Sequence, residues 1–315
     1  MSVSAWLDAL PSSSEIPADE LDRLRHDLDR SVADGLAAAG DGLDPDLLPL
    51  RLPKGRLADL ERCPRSAVAR FRDESPPTPG AAALRGTALD HFVAHQLVAG
   101  RVLEPLSALT SMLTVSADWA SLALLDEMSV EDSAALVDPL AAAVADVWSG
   151  IDPRWTPRTQ SRAALVLAEG ACICSGVVDV ELGGGGTGLP GVVVEVKSGA
   201  VAAAHPHEVY LYALLVAMRD GAAPAAVARW YPGADPVVLP VTLGVLESAA
   251  ARLSAGAGLW AGLMAGETAA ERAGGWCGWC PDRTVCPSAA PGGGAGTGPA
   301  VDAPPDGDEG DDDGW

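Results

Sequence analysis

Residues 175–197 read SGVVDVELGGGGTGLPGVVVEVK. Two valine-rich runs flank a Gly/Pro-rich turn, a pattern that predicts two strands joined as a hairpin. The first run carries Asp179 near its end, and the second carries Glu195 and Lys197. Side chains two apart on a strand share a face, so Glu195 and Lys197 project together while Val194 and Val196 face the opposite layer. Antiparallel pairing through the turn brings Asp179 beside them. Burying an unpaired carboxylate or ammonium costs several kcal/mol or shifts its protonation, so the three charges are expected to compensate one another. A strand-borne salt bridge meets that requirement. A divalent-metal site meets it too, because two carboxylates suit Mg²⁺ or Mn²⁺ and a neighbouring lysine can orient or activate a water. Composition favours the second: of 21 basic residues only Lys54 and Lys197 are lysines. A position that needed only positive charge would carry arginine here, whereas lysine is the cation whose pKa can be tuned.

The 315 residues can bury a full core. Net charge is −22, which on its face disfavours a nucleic-acid partner. Seven of the acidic residues lie between Asp302 and Asp313, leaving about −15 on the chain before them. Nine of the basic residues (Arg51, Lys54, Arg56, Arg62, Arg65, Arg70, Arg72, Arg85 and Arg101) fall between positions 51 and 101, enough for a local basic face. The N-terminus MSVSAWLDALPSSSE lacks a basic start and an apolar core, and no apolar run reaches the roughly 18 residues of a membrane span, so a cytoplasmic location is expected. In that reducing setting the six cysteines are expected as ligands or buried apolar groups.

Outward from the hairpin, Leu21, Leu24, Leu28, Val32 and Leu36 recur at helical spacing from Pro17 to about Ala39. A Pro-rich joint follows, then Cys63-Pro64 at a helix start. Residues Arg85 to Leu97 form a helical pattern with Leu89, Phe92, Val93 and Gln96 along one side; His91 and His95 stand four apart on it, a zinc-compatible spacing that lacks a third ligand nearby. The Ala/Leu/Val-rich stretch 103–150 predicts two or three helices. Strands follow from Arg162, and Cys172 and Cys174 alternate within one as core residues. GGGGTG lacks the Lys-Ser/Thr of a phosphate loop and sits between strands, so it reads as the hairpin turn. A helix through HPHEVYLYALLVAMRDG puts Glu208 and Tyr212 on one face. Two strands, near 226–231 and 236–243, and a long Ala-rich helix from about Val245 complete an α/β arrangement. Cys277, Cys280 and Cys286 then form C-x2-C-x5-C, a triplet that points to metal because thiolate bonds can organise a short Gly-rich loop. Cys63 is the natural fourth ligand. Spacing alone leaves structural Zn²⁺ and a [4Fe-4S] cluster both open. The end, PGGGAGTGPAVDAPPDGDEGDDDGW, cannot bury enough apolar area to order itself and reads as a disordered acidic tail.

Gly176 to Asp179 (G-x-x-D), a turn, and Glu195 to Lys197 (E-x-K), followed by the cysteine triplet, resemble the PD-(D/E)XK nucleases. The closer likeness is to the RecB-like branch that includes the AddB nuclease domain and the CRISPR adaptation nucleases. The resemblance covers Cys63 to Pro287 with 103–150 unmatched. It implies a central mixed β-sheet flanked by helices, a restriction-endonuclease-like core, over 49–287. An N-terminal helical segment, 1–48, precedes it, and the tail, 288–315, follows. It implies that Asp179, Glu195 and the main-chain carbonyl of Val196 hold one or two Mg²⁺ or Mn²⁺ ions and that Lys197 serves catalysis. Where the branch has G-x-x-x-H, the fourth residue after Gly86 is Asp90 and the histidine is His91, so either is implied as a further ligand. Where it has Q-x-x-x-Y, this chain has Glu208 and Tyr212. Cys63, Cys277, Cys280 and Cys286 resemble the branch's iron-sulfur staple. The implied activity is metal-dependent hydrolysis of single- or double-stranded DNA in repair, recombination or defence, with a helicase or other repair protein as partner and no membrane. The departures at Asp90 and Glu208 and the acidic charge instead suit a non-catalytic DNA-binding or helicase-partner module.

Overall fold

The computed structural model describes residues 6–8, 10, 16–73, 80–101, 104–199 and 205–289. Among these are nine α-helices and one mixed sheet of six strands. In chain order the elements are α1 (Ala18–Ala39), β1 (Leu50–Pro53), α2 (Lys54–Arg62), α3 (Pro64–Arg72), α4 (Ala81–Ala99), α5 (Pro105–Val115), α6 (Trp119–Glu127) and α7 (Val130–Trp148). There follow β2 (Arg158–Leu167), β3 (Cys172–Leu182), β4 (Val192–Val196), α8 (His205–Asp220), β5 (Ala226–Trp230), β6 (Val237–Pro240) and α9 (Leu243–Met264). The expected acidic tail, from residue 290 on, lies outside the described residues.

β3 organises the sheet. β2 runs antiparallel along its whole length, from Leu167 opposite Cys172 to Arg158 opposite Glu181. The other edge is shared by two strands arriving from opposite directions. β1 lies parallel to its first half, Leu50 opposite Cys172 to Pro53 opposite Ser175. β4 lies antiparallel to its second half, Leu182 opposite Val192 to Val180 opposite Val194. The C-terminal ends of β1 and β4 therefore meet near Gly176. β5 pairs parallel with β4, and β6 antiparallel with β5. β1 falls in what the sequence presented as a Pro-rich joint: four residues are too few for a period-2 pattern, and Pro53 is tolerated because it ends the strand.

Apolar side chains cover both sheet faces. On the first, α1, α8 and α9 pack over Leu52, Leu165, Cys172, Cys174, Val193 and Val227. On the second, α4 to α7 pack over Val180, Val192, Val194, Val196 and Trp230. α1 thus belongs to the sheet's own core, burying Leu21, Leu28, Val32 and Leu36. It approaches α9 at Gly35, where a Cβ would stand 3.1 Å from the Gly258 Cα. Along β3 the even-numbered side chains Cys172, Cys174 and Val178 bury in the first cluster, but Val180 and Leu182 bury in the second. The strand exchanges faces at Asp179. Across from it Gln160, between the Thr159–Val180 and Ser161–Val178 pairs, adopts a left-handed φ of 49°. This local irregularity turns Asp179 onto the face that carries Glu195.

Candidate active site and cysteine centre

The site lies where β1 and β4 end against β3. Continuing the β3–β4 register by one step sets Asp179 against Glu195, and the Val196 N–H donates to Asp179 Oδ2 at 2.7 Å. Glu195 is 2% exposed. Its Oε1 accepts from Lys197 Nζ at 2.8 Å and from Lys54 Nζ at 2.9 Å, while its Oε2 is buried with no partner among the described residues. Lys197 also donates to Glu208 Oε2 at 2.8 Å, so its ammonium is bracketed between strand and helix. Lys54 Nζ lies 4.8 Å from the centroid of the Tyr212 ring. That ring covers Gly176, where a Cβ would stand 2.6 Å from Tyr212 Cε1, so the ring leaves no room for a side chain at the glycine of G-x-x-D.

Electrostatics follow from burial and crowding. Desolvation, reinforced by Glu195, pushes Asp179 up to about 8. Desolvation works on Glu195 too, but Lys197 and Lys54 outweigh it and hold that carboxyl at about 2. Burial opposes the charge on both lysines, yet Glu195 carries each above the usual lysine range. Lys197 is held as an ammonium that donates to both Glu195 and Glu208. Burial likewise raises the Tyr212 hydroxyl well above its ordinary value, so Tyr212 stays neutral.

Asp179, Glu195, Val196, Lys197, Glu208 and Tyr212 are thus brought together. Asp90 and His91 are half-buried on α4, whose apolar residues pack with Val194 and Val196 on the sheet's second face. No three His, Cys, Asp or Glu side chains among the described residues stand preset around a single ion. Two residues escaped the sequence reading. Lys54 reaches Glu195 from 141 positions away, and its signal was available: the scarcity of lysine that singled out Lys197 applies equally to it. Arg229, opposite Glu195 in the β4–β5 register, is 8% exposed with its Nε unpartnered among the described residues. Lys54 lies close enough to Glu208 to offset the charge that it adds relative to a glutamine.

The second centre lies at α3. Cys63 caps that helix in extended conformation, 5% exposed, and Cys277, Cys280 and Cys286 sit on two short 3₁₀ turns, Gly275–Trp279 and Pro281–Thr284, and just beyond them. All four line one small cavity with Arg65, Arg272 and Arg283, and all are free thiols. Arg65 ties the corner together by bonding Glu271 and Asp282, and the Arg272 N–H lies 3.5 Å from Cys63 Sγ. The enclosed space, about 10 Å³, holds one water-sized sphere. Four thiols facing one small cavity are a donor set of the kind that suits a metal centre. Cys172 and Cys174 are buried in the first core cluster.

The chain is a mixed α/β protein, and none of its described helices is long and apolar enough to cross a membrane. No family model matches it, and no curated protein matches it. A solved structure described as "Crystal structure of SSO0001" aligns at a TM-score of 0.31 and 13% identity, over 75% of this chain and 96% of that one. A score that low informs neither fold nor function.

Proposed function

We propose that this protein is a divalent-metal-dependent DNA nuclease with a restriction-endonuclease-like core of the RecB type, acting in repair, recombination or defence. The observation that carries the reading is the buried, unpartnered Glu195 Oε2 beside Asp179, a pair of oxygen donors pressed together at the meeting of two strand ends. Asp179, Glu195 and the Val196 carbonyl would hold Mg²⁺ or Mn²⁺, with Asp90 or His91 as a further ligand. When bound, the ion polarises the scissile phosphate and acidifies a water. Lys197, bracketed by Glu195 and Glu208, has one N–H direction left to orient that water and to offset charge developing on the phosphate. Tyr212 positions Lys54 and shields the site from bulk water, and Arg229 adds positive charge beside Glu195. Cys63, Cys277, Cys280 and Cys286 would hold a [4Fe-4S] cluster, with structural Zn²⁺ as the alternative, as a clamp between the two halves of the chain.

The test is Mn²⁺-dependent cleavage of single- and double-stranded DNA by anaerobically purified protein. Lys197→Ala is expected to bind DNA and not cut it; cleavage at the wild-type rate by that variant ends the proposal. A second reading, a cluster-stapled module that binds DNA or a helicase without turnover, draws on the two ammonium groups already seated on Glu195 Oε1. Wild-type protein that binds DNA but never cuts it favours that reading.

A further inference from the structure

We infer that the Lys54 ammonium is a built-in cation of this site, occupying the place of a second divalent ion, so that the centre takes one ion only. The inference rests on the metal-nuclease reading and assigns the stoichiometry of that site.

The chain's only two lysines converge on one carboxylate oxygen. Glu195 Oε1 accepts from Lys54 at 2.9 Å and Lys197 at 2.8 Å, which uses both of its lone-pair directions. Asp179 Oδ2 is engaged by the Val196 N–H at 2.7 Å. Of the two carboxylates, what remains for a metal is Glu195 Oε2, buried and unpartnered among the described residues, and the second oxygen of Asp179. Those two atoms can share one ion. A pair of ions roughly 3.5–4 Å apart needs carboxylates that bridge, and Oε1 has no capacity left to bridge.

The choice of lysine at position 54 follows from the same geometry. A guanidinium engages a carboxylate with two parallel N–H groups, whereas an ammonium is a point charge that can sit on a single oxygen. The molecule contains its own control. Arg219 grips both oxygens of Glu181, at 2.9 and 2.7 Å, leaving nothing for a metal. An arginine at 54 would take Oε2 in that manner. Placement supports the role: Lys54 is the first residue of α2, directly after β1, so the strand end that meets β4 delivers it, and the Tyr212 ring lies along its path.

The experiment is Mn²⁺ titration of the full chain, followed by calorimetry and by the loss of the free-ion electron paramagnetic resonance signal; Mn²⁺ is hard enough to ignore the thiol cage. Wild type is expected to bind one Mn²⁺ with the spectrum of an isolated ion. Lys54→Met is expected to bind two, with the spin-coupled spectrum of a close pair, and Lys54→Arg to bind one about 10–100-fold more weakly. Two ions in wild type, or one in both wild type and Lys54→Met, overturns the inference; if wild type then still cuts DNA, the nuclease reading survives it. Wild type that takes up no Mn²⁺ ends both. Should Lys54→Met fail to fold, the wild-type count and the Lys54→Arg affinity decide: unweakened binding by Lys54→Arg overturns the inference.

Discussion

Two glutamates are buried almost equally on the paired strands β3 and β4, and they do opposite things. Glu181 is 3% exposed and Glu195 is 2% exposed. Glu181 is closed: Arg219 holds both oxygens and Arg158 adds a third bond at 2.6 Å, at the edge of a 420 Å³ cavity walled by the Gly-rich turn. Glu195 is left open, with two lysines crowded on one oxygen and the other bare. Burial alone does not mark a functional carboxylate; the difference is the cation chosen to compensate it. Arginine's fork completes the hydrogen-bonding of a buried carboxylate and makes an ion pair that only stabilises, whereas lysine leaves capacity for a ligand.

The comparison can be broken most directly at the two glutamates themselves. If the proposed nuclease reading holds, Glu195→Gln is expected to lower DNA cleavage by about 10³-fold or more, since it would remove a metal donor and release both lysines. Equal loss in Glu181→Gln, measured in the same assay, erases the distinction. The cysteine corner supplies the next largest effect, this time on stability. Cys63→Ser should bleach the visible absorbance of anaerobically purified protein, lower its urea midpoint and cost on the order of 4–5 kcal/mol of unfolding free energy, because a long loop between positions 63 and 277 is no longer closed. An unchanged midpoint with colour intact removes Cys63 from the centre.

Glu181→Gln itself should cost about 2 kcal/mol of stability, discounted for the part-exposed arginines, with cleavage untouched. A silent melt would mean that the Arg219 fork is not holding the strands. The smallest effect concerns protonation. Burial and Glu195 hold Asp179 up to about 8 against an ordinary 3.8. Between those values the unfolded chain has lost a proton that the folded protein keeps, so this group erodes the stability of metal-free protein as pH rises from about 4 to about 8. Asp179→Asn removes that slope and should raise the melting temperature in EDTA at pH 8 by a few degrees, with little change at pH 4. Parallel pH profiles for the two proteins would show that Asp179 titrates normally.

The hairpin that carries these groups was legible because two local signals coincide in it, alternation along valine-rich strands and a glycine turn between them. Helices α5, α6 and α7 were legible for a similar reason, since they repeat apolar residues over several turns. Lys54 was marked by the scarcity of lysine alone, with nothing local to say which carboxylate it meets, and Arg229 was not marked at all, because what sets it opposite Glu195 is strand register, a property of the folded sheet. β1 stayed hidden because its four residues are shorter than any period. The turning of Asp179 at the exchange of faces was equally invisible, as nothing in GVVDVEL announces that Val178 and Val180 will bury on opposite sides.

The near-contact of Gly35 with Gly258 bears on how this molecule can be cut. Because two backbones meet there without intervening side chains, α1 and α9 behave as one thick strut, and a shortened chain starting at Pro49 would bare the apolar surface of the first core cluster that Leu21, Leu28, Val32 and Leu36 cover. Such a fragment should stick to copies of itself, so the sheet and its candidate site are best produced with the first helix attached.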